Sequence, residues 1–325
     1  MRIGFVGTGE FAHSHAKSLQ KIGAQVAACT STNREKAEAF GSQYGAKVFE
    51  DPAEMIAKRH IDVLYLVVPP FACDGRVERR AIAQGIPFLC EKPVGLNLTR
   101  CRAIAALIAE RGLVSACGYL FRHGQAALAM KAVIARNEIS VIRGCRMGGL
   151  IGPTWRRSMA KSGGAMVDLG THTVDLMRWL FGDVKSVAAL ANFGICSKRF
   201  DGCDVYDSMD AQLLFGGGVI GGLALTSVME NGAKKSDLLD VYGKDFMLSF
   251  GWNSIRYKEG AADWVEVPVE TDRLDFENRN FLEAVSKNDP GLVRSSYPDA
   301  VKTLAVTLAM NRSAVAGGKR IRLTA

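Results

Sequence analysis

The sequence predicts an α/β protein. Its N-terminal part is a doubly wound parallel sheet, and its C-terminal part is an α+β domain with an open, mostly antiparallel sheet. Three observations predict this. Short apolar runs alternate with helix-patterned segments from Arg2 to Tyr119. The first of those runs ends in a glycine turn that opens a helix. After Arg122, apolar runs of strand character follow one another without helices between them. Strands separated by helices pair in parallel through right-handed crossovers, whereas consecutive strands joined by turns pair antiparallel. The expected division is residues 1–121 and residues 122–325, with the last helices free to pack back on the first domain.

The elements follow in order. "RIGFVG" is an apolar strand stopped by glycine, and Glu10–Lys21 is the helix it feeds. "QVAAC" is the second strand and Arg34–Tyr44 the second helix. Asp51–Glu54, "DPAE", has the form of a helix start: a capping Asp, Pro at the first helical position and Glu three residues after the cap. "DVLYLVVPP" and "PFLCEKP" are strands closed by proline, Thr99–Arg111 is a helix and "LVSACGY" a further strand. The second domain opens with one or two helices. Strands follow at Ser186–Phe193, Asp210–Phe215, Val219–Val228, Asp237–Tyr242, Phe246–Phe250 and Ser254–Lys258. Gly216-Gly217-Gly218 reads as a hairpin turn. Helices at Phe276–Ser286 and Pro298–Ala316 complete the chain.

The 325 residues suffice for two domains with sizeable cores. The net charge of +8 comes from basic residues interleaved with acids, without the Lys/Arg stripe that a nucleic-acid binder needs; it suits a polyanionic small molecule. No apolar run reaches the length of a membrane span, and Ile3–Val6 is too short for a signal-peptide core, so a cytoplasmic protein without membrane partners is expected. The eight cysteines show no metal-ligand spacing; Cys29, Cys90 and Cys117 lie in or beside apolar runs and read as structural thiols.

The turn after the first strand carries Gly7-x-Gly9-x-x-Ala12. Gly7 permits the tight turn, Gly9 lets the backbone approach a pyrophosphate, and Ala12 lets helix and strand pack closely. The helix N-terminus offers unpaired N–H groups to the anion. The pattern fits a dinucleotide-binding Rossmann turn, with a plain structural strand-to-helix turn as the alternative. At the end of the second strand, where a NAD binder usually carries an acid, stand Ser31, Thr32, Asn33, Arg34 and Lys36. No carboxylate there repels a 2′-phosphate, and hydroxyls and cations are available to bind one, so NADP is the preferred cofactor and NAD the alternative. Arg34 and Lys36 also fit the solvated face of the next helix.

Two further stretches carry chemistry. In "AMVDLGTHTVDLMRWLF", Asp168, Thr171, His172 and Asp175 are spaced to form one stripe on an otherwise apolar helix. The stripe fits an amphipathic helix with a narrow wet face, or a polar wall of a ligand site. A metal pair lacks a second His or a Cys. In "LCEKPVG", a strand delivers Glu91 and Lys92 to the carboxyl edge of the sheet, where ligands of doubly wound folds bind. A lysine held there can exchange a proton with a substrate hydroxyl or carbonyl, or form an ordinary surface ion pair.

Together with "GTGEFA", "VVPP", "CEKPVGLN", "GYLFRH", "SGGAMVDLGTHTVDLMRWLFG" and "SAVAGGKRIRL", these stretches make the chain resemble the glucose–fructose oxidoreductase/inositol dehydrogenase (Gfo/Idh/MocA) family over nearly its whole length. The resemblance implies hydride transfer between NAD(P) and a hydroxyl or carbonyl carbon of a sugar, cyclitol or related polyol. It also implies an open sheet through which subunits form a homo-dimer or tetramer. By position it assigns Lys92 to the nicotinamide and substrate, and Asp168 and His172 to substrate binding and proton transfer. A cis bond at Lys92–Pro93 is compatible with the motif, and proline permits it at low cost.

The expected cofactor surface is Gly7, Thr8, Gly9, Glu10, Phe11, Ser31, Thr32, Lys36, Pro69, Glu91 and Lys92. The expected substrate surface is Lys92, Arg122, Trp155, Asp168 and His172, with Gly163 and Gly164 letting cofactor or substrate come close; no metal is expected. Ser31 with Thr32 and Lys36 looks like the NADPH-dependent sugar-reductase branch. Cys73 replaces a common His after "PP", and Gly124 a common acid after Arg122; both bear on substrate more than on reaction. His13 and His15 fit capping or packing, and His60 and His123 have no assigned role. Arg156 and Arg157 fit either a substrate mouth or a basic surface loop. The rival functions are a glycosidase that retains NAD and a non-catalytic dinucleotide sensor.

Overall fold

The structure, a computed structural model, describes residues 1–58, 60–149, 152–229 and 236–324. The chain divides into two compact units. The first comprises Met1–Leu120 and Asp272–Val301, the second Phe121–Thr271 and the chain from Lys302 onward.

The first unit opens with β1 (Arg2–Val6), α1 (Glu10–Lys21), β2 (Gln25–Thr30), α2 (Arg34–Tyr44), β3 (Lys47–Val48), α3 (Pro52–Ala57), β4 (Val63–Leu66), α4 (Arg76–Ala83), β5 (Phe88–Cys90), α5 (Leu98–Arg111) and β6 (Ser115–Cys117). The second continues with α6 (Gln125–Ala135), β7 (Ile139–Met147), α7 (Met159–Ser162), α8 (Thr171–Phe181), β8 (Val184–Asn192), α9 (Ile195–Arg199), β9 (Ser208–Phe215), β10 (Ile220–Thr226), β11 (Ser236–Gly243), β12 (Phe246–Phe250), β13 (Ser254–Glu259) and β14 (Val265–Pro268). Then come α10 (Arg273–Lys287) in the first unit, α11 (Tyr297–Val315), which contains the division point, and β15 (Ile321–Arg322).

The first sheet is wholly parallel, in the order β3-β2-β1-β4-β5-β6. Apart from the exposed edge strand β3, its strands are largely buried on both faces, as the continuous apolar runs require. Phe5, Phe40 and Tyr65 stack in its core with ring centroids 5.3 Å apart for Phe5–Phe40 and Phe5–Tyr65. Burying each such ring contributes on the order of 2–3 kcal/mol. Helix α1 lays Ala12, Ala16 and Leu19 on this core, and α10 adds Phe281 and Ala284. The local signals act as expected at α3, where the Asp51 carboxylate accepts from the Ala53 N–H at 2.8 Å. Helix α4 has no counterpart in the sequence reading, because "RVERRAIA" holds only one short apolar face among four charges.

The second sheet has the order β14-β13-β12-β11-β7-β10-β9-β8-β15. All its neighbours are antiparallel except β7 and β10, which run parallel. Strand β7 is the unexpected central member: Arg143, Gly144 and Arg146 dilute its apolar pattern, so the sequence places only helices before Ser186. One face of the sheet carries Ile142, Leu223 and Leu225, all buried. A Cβ at Gly144 would lie 2.7 Å from the Met177 methyl, so α8 packs directly on this face. The other face exposes Leu190, Leu214 and Ile220.

The Ala165–Phe181 stretch is not one α-helix. Met166–Gly170 forms a π turn, and the α-helix starts at Thr171. The wider turn breaks the α-helical spacing on which a single Asp168–Asp175 stripe depends.

None of the eight cysteines is in a disulfide. Burial pushes the Cys29 thiol up to about 11 and that of Cys101 to about 12, as inert core thiols require. Among the described residues no helix is long and apolar enough to cross a membrane.

Asp207 ties β9 to α9. It is fully buried, and its carboxylate accepts from the N–H groups of Cys196 at 2.7 Å and Ile195 at 2.8 Å. Burial alone pushes the carboxyl up, but these donors outweigh burial and hold it below its ordinary range. Its stabilisation is therefore present above the ordinary Asp value, about pH 3.9, and is lost as pH falls through the lower folded value. Asp207→Ala is expected to cost about 1–2 kcal/mol at pH 7. In a thermal-melt series the gap to the parent protein narrows as the pH falls below about 3.9.

Candidate active site

In a parallel sheet every strand delivers its following residue to one edge. Gly7 follows β1, Ser31 follows β2, Pro69 lies beyond β4, Glu91 and Lys92 follow β5, and Gly118 follows β6, so the first unit gathers all of them at its carboxyl edge.

The glycine turn has the geometry its sequence requires. Gly7 sits at φ +96°, and a Cβ there would lie 2.1 Å from the Val67 carbonyl oxygen. Gly9 precedes α1 without a side chain to cap it, and a Cβ at Gly9 would meet open space. The first N–H groups of α1 are thus left facing a space that an anion can enter. Thr8 is buried in this turn, while Glu10 and Phe11 are exposed. Ser31 is half-buried and its hydroxyl accepts from the Asn33 N–H at 3.3 Å; Thr32 and Lys36 are exposed. Asn33 caps α2 through the Lys36 N–H at 2.9 Å, and Arg34 reaches Glu38 at 2.8 Å and Glu50 at 2.9 Å. Pro69 is half-buried.

Behind Lys92 lies a polar network that the sequence does not announce. The Glu91 carboxylate is 7% exposed. One oxygen meets His15 Nε2 at 2.9 Å, and the other accepts from the Lys92 N–H at 3.1 Å. A Cβ at Gly118 would lie 2.1 Å from that first oxygen, so only glycine leaves room for the carboxylate. His15, fully buried, meets Asn278 Oδ1 at 3.1 Å through Nδ1, and Tyr65 donates to the same oxygen at 3.0 Å. The Asn278 amide N–H₂ donates to Ser18 at 2.8 Å. With Asn278 oriented this way, His15 Nδ1 is the donor to its Oδ1. Burial pushes the Tyr65 hydroxyl far above its ordinary value, so it stays a donor. Lys92 itself is half-buried, and the Lys92–Pro93 bond is cis.

His15 lies on the α1 face of Ala12 and Leu19, so a polar residue in a buried stripe is the signal that sequence offers. Nothing in sequence pairs it with Asn278. Two sets of metal-type donors come within 4.8 Å of one another: His15, Glu91 and Glu277, and Cys73, Glu78 and Cys90. In the first, His15 and Glu91 are engaged as described. In the second, the hydrogen bond with Cys73 and burial push the Cys90 thiol well up.

The second unit places the other expected residues. Asp168 lies in the π turn, 3% exposed, and pairs with Arg156 Nε at 2.8 Å. His172 is half-buried at the start of α8, its ring 5.3 Å from that of Phe121. Trp155 is half-buried in the short turn Thr154–Arg157, and the Arg156 guanidinium lies 5.5 Å from its ring centroid.

Arg122 is 3% exposed, and its Nε donates to Asp175 at 2.6 Å. Two expectations are corrected. Asp175 is fully buried and also accepts from Thr303 at 3.0 Å, so the polar stripe divides: Asp175 anchors α8 to α11, while Asp168 turns to Arg156. Gly164 makes room for protein, because a Cβ there would lie 2.6 Å from the Tyr206 ring. The Tyr206 hydroxyl accepts from the Met166 N–H at 2.7 Å and donates to Asn311 at 3.2 Å, and Asn311 donates to the Gly163 carbonyl at 2.7 Å. These bonds hold the π turn.

Residues 1–119 match the GFO/IDH/MocA model for an oxidoreductase family with an NAD-binding Rossmann fold, and residues 128–249 match the GFO/IDH/MocA C-terminal domain. The chain is 26% identical to glucose-6-phosphate 3-dehydrogenase of Bacillus subtilis (strain 168), over 61% of this chain and 59% of that protein. It is 28% identical to inositol 2-dehydrogenase of Paracoccus denitrificans (strain Pd 1222), over 56% of this chain and 55% of that one. The chain thus spans less than two thirds of each of these two relatives. Its fold matches that of levoglucosan dehydrogenase, solved with NADH and L-sorbose, at a TM-score of 0.89 and 17% identity, over 100% of this chain and 99% of that one. With the glycine turn, the Glu91–Lys92 edge and both domain matches in place, the chain belongs to the GFO/IDH/MocA oxidoreductase family, which has an NAD-binding Rossmann fold.

Proposed function

We propose that the protein transfers a hydride between NADP(H) and a hydroxyl or carbonyl carbon of a sugar, cyclitol or related polyol. The observation that carries this is the convergence of the glycine turn and Lys92 on one sheet edge, with Lys92 fixed from behind by Glu91. The relatives that act on glucose 6-phosphate and inositol, and the structural match to a levoglucosan dehydrogenase, support the substrate class.

The dinucleotide supplies the hydride donor or acceptor. Gly7, Thr8, Gly9, Glu10 and Phe11 form its pyrophosphate turn, Pro69 and Glu91 border it, and Ser31, Thr32 and Lys36 receive the 2′-phosphate. The open space beyond Gly9 and the absence of a carboxylate at residue 31 fit that group. His172 gives or takes the proton on the reacting oxygen with Lys92 assisting, and Asp168 accepts hydrogen bonds from substrate hydroxyls. Trp155 supplies an apolar wall for the sugar ring. A half-buried imidazole beside Phe121 is shielded from bulk water but still reachable, which suits a group that moves a proton during turnover. The exposed Leu190, Leu214 and Ile220 on one sheet face fit association of copies of this chain.

Titration with NADPH and NADH, followed by a sugar and cyclitol panel, tests the function; tight cofactor retention without net turnover contradicts it. Lys92→Met is expected to lower kcat by about 10²–10⁴-fold while the NADPH Kd changes by less than about threefold. Wild-type turnover in that variant removes Lys92 from the chemistry. Ser31→Asp is expected to shift the NADPH-to-NADH affinity ratio toward NADH by about tenfold or more, about 1.4 kcal/mol. An unchanged ratio removes the 2′-phosphate site from the end of β2.

A further inference from the structure

A buried donor set in the first unit takes no part in the chemistry proposed above. One sulfur each from Cys73 and Cys90 and one carboxylate oxygen of Glu78 lie within 4.8 Å of one another. The three residues come from three segments: Cys73 follows the short turn Pro70–Ala72, Glu78 lies in the first turn of α4, and Cys90 ends β5. That separation is why the sequence shows no metal-ligand spacing. Cys73 is 6% exposed, Glu78 2% and Cys90 0%. The thiols have weak partners: Cys73 faces the Pro69 carbonyl at 3.9 Å, Cys90 faces the Glu91 carbonyl at 3.4 Å, and the two thiols interact with each other. Glu78 makes no ion pair among the described residues. Its carboxyl accepts from its own backbone N–H, and Arg79 and Arg100 act on it only at a distance. A carboxyl removed from water in this way calls for a cation or a proton.

We propose that Cys73, Glu78 and Cys90 bind a zinc ion that fastens the segment after Pro69 to the end of β5. Zinc takes thiolate sulfur at about 2.3 Å and carboxylate oxygen at about 2.0–2.2 Å in a tetrahedron. Two sulfurs on such an ion stand about 3.8 Å apart, so the donors close by about 1 Å at most, within reach of side-chain rotation. Two thiolates with one carboxylate suit zinc, whereas magnesium and calcium take oxygen ligands alone. A water molecule completes the tetrahedron. Binding releases the thiol protons to solvent and leaves two thiolates and one carboxylate on a divalent ion. Arg79 and Arg100 offset the surplus negative charge from a distance. The chain after Lys92–Pro93 packs against the site: a Cβ at Gly95 would lie 3.3 Å from the Cys73 carbonyl oxygen. Donors this deeply buried take up the ion as the chain folds, so the ion stabilises the first unit and does not meet a substrate.

The test uses the full chain, refolded under a phosphine reductant with zinc chloride or cobalt chloride and then freed of loose metal. The readouts are metal content, absorption spectrum and melting temperature, so they stand whether or not the protein turns over a sugar. The parent is expected to hold about one zinc ion per chain and to melt at a lower temperature when refolded with a chelator instead. The cobalt form is expected to show a thiolate-to-cobalt charge-transfer absorption, which metal held by surface histidines does not give. Cys73→Ser and Glu78→Gln are each expected to weaken zinc about tenfold or more in competition with a chelating dye, and Cys73→Ser to weaken the charge-transfer absorption. Cys29→Ser, at another fully buried thiol of the same unit, is expected to leave zinc affinity unchanged. Where one variant does not fold, the other decides. A parent that holds no zinc and shows no charge-transfer absorption overturns the site. Zinc affinity unchanged in folded Cys73→Ser or Glu78→Gln also overturns it.

Discussion

The first unit is organised around the buried carboxylate of Glu91. Water is excluded from it, so its two oxygens must find donors within the protein, and they take His15 and the backbone N–H of Lys92. That demand reaches far along the chain. It requires a histidine on the buried face of α1, an asparagine on α10 to hold the histidine, and glycine at 118 to leave space. Removing one partner of such a buried group costs more than the bond itself contributes, because the other partner is left unsatisfied. The same helix, α1, begins at the glycine turn. The carboxylate therefore ties that helix, through His15, to the backbone of Lys92 at the same sheet edge.

The second unit solves a similar problem with ion pairs. The π turn and α8 each carry one buried carboxylate, and each is matched by a guanidinium: Asp175 on α8 by Arg122, Asp168 in the turn by Arg156. The two pairs differ in burial. The Arg122–Asp175 side chains are 4% and 1% exposed, which makes that pair part of the fold, and Thr303 completes it from α11. The Arg156 side chain is 28% exposed and borders a small cavity, so Asp168 remains next to accessible space. Asp168 lies within the π turn that precedes α8, outside the α-helical spacing that places Asp175. π turns of this kind recur at functional sites because the extra residue frees one side chain from the helical spacing.

Much of this was legible in the sequence. Strand and helix periods, two glycines and a capping Asp define most elements between Arg2 and Cys117, β3 and α4 excepted, because each of those signals acts locally. Lys92 is legible for the same reason: it follows a short apolar strand in a sheet whose direction is known. The failures are long-range. Strand β7 is hidden because its arginines and Gly144 fit only against a particular neighbour, the Met177 methyl. The stripe from Asp168 to Asp175 looks uniform in sequence, and only the partners Arg156, Arg122 and Thr303 divide it. Gly164 carries the mark of a ligand approach and instead accommodates Tyr206. In each case the residue type signals a steric or electrostatic demand, and the identity of whatever meets that demand lies elsewhere in the chain.

The most direct measurement is a crystal structure with NADP⁺ bound. The pyrophosphate should lie on the N–H groups that follow Gly9, the 2′-phosphate against Ser31, Thr32 and Lys36, and the nicotinamide ring within contact of the Lys92 side chain. A dinucleotide bound in the opposite direction, or a nicotinamide ring turned away from Lys92, would contradict the assignment of this sheet edge as a hydride-transfer site.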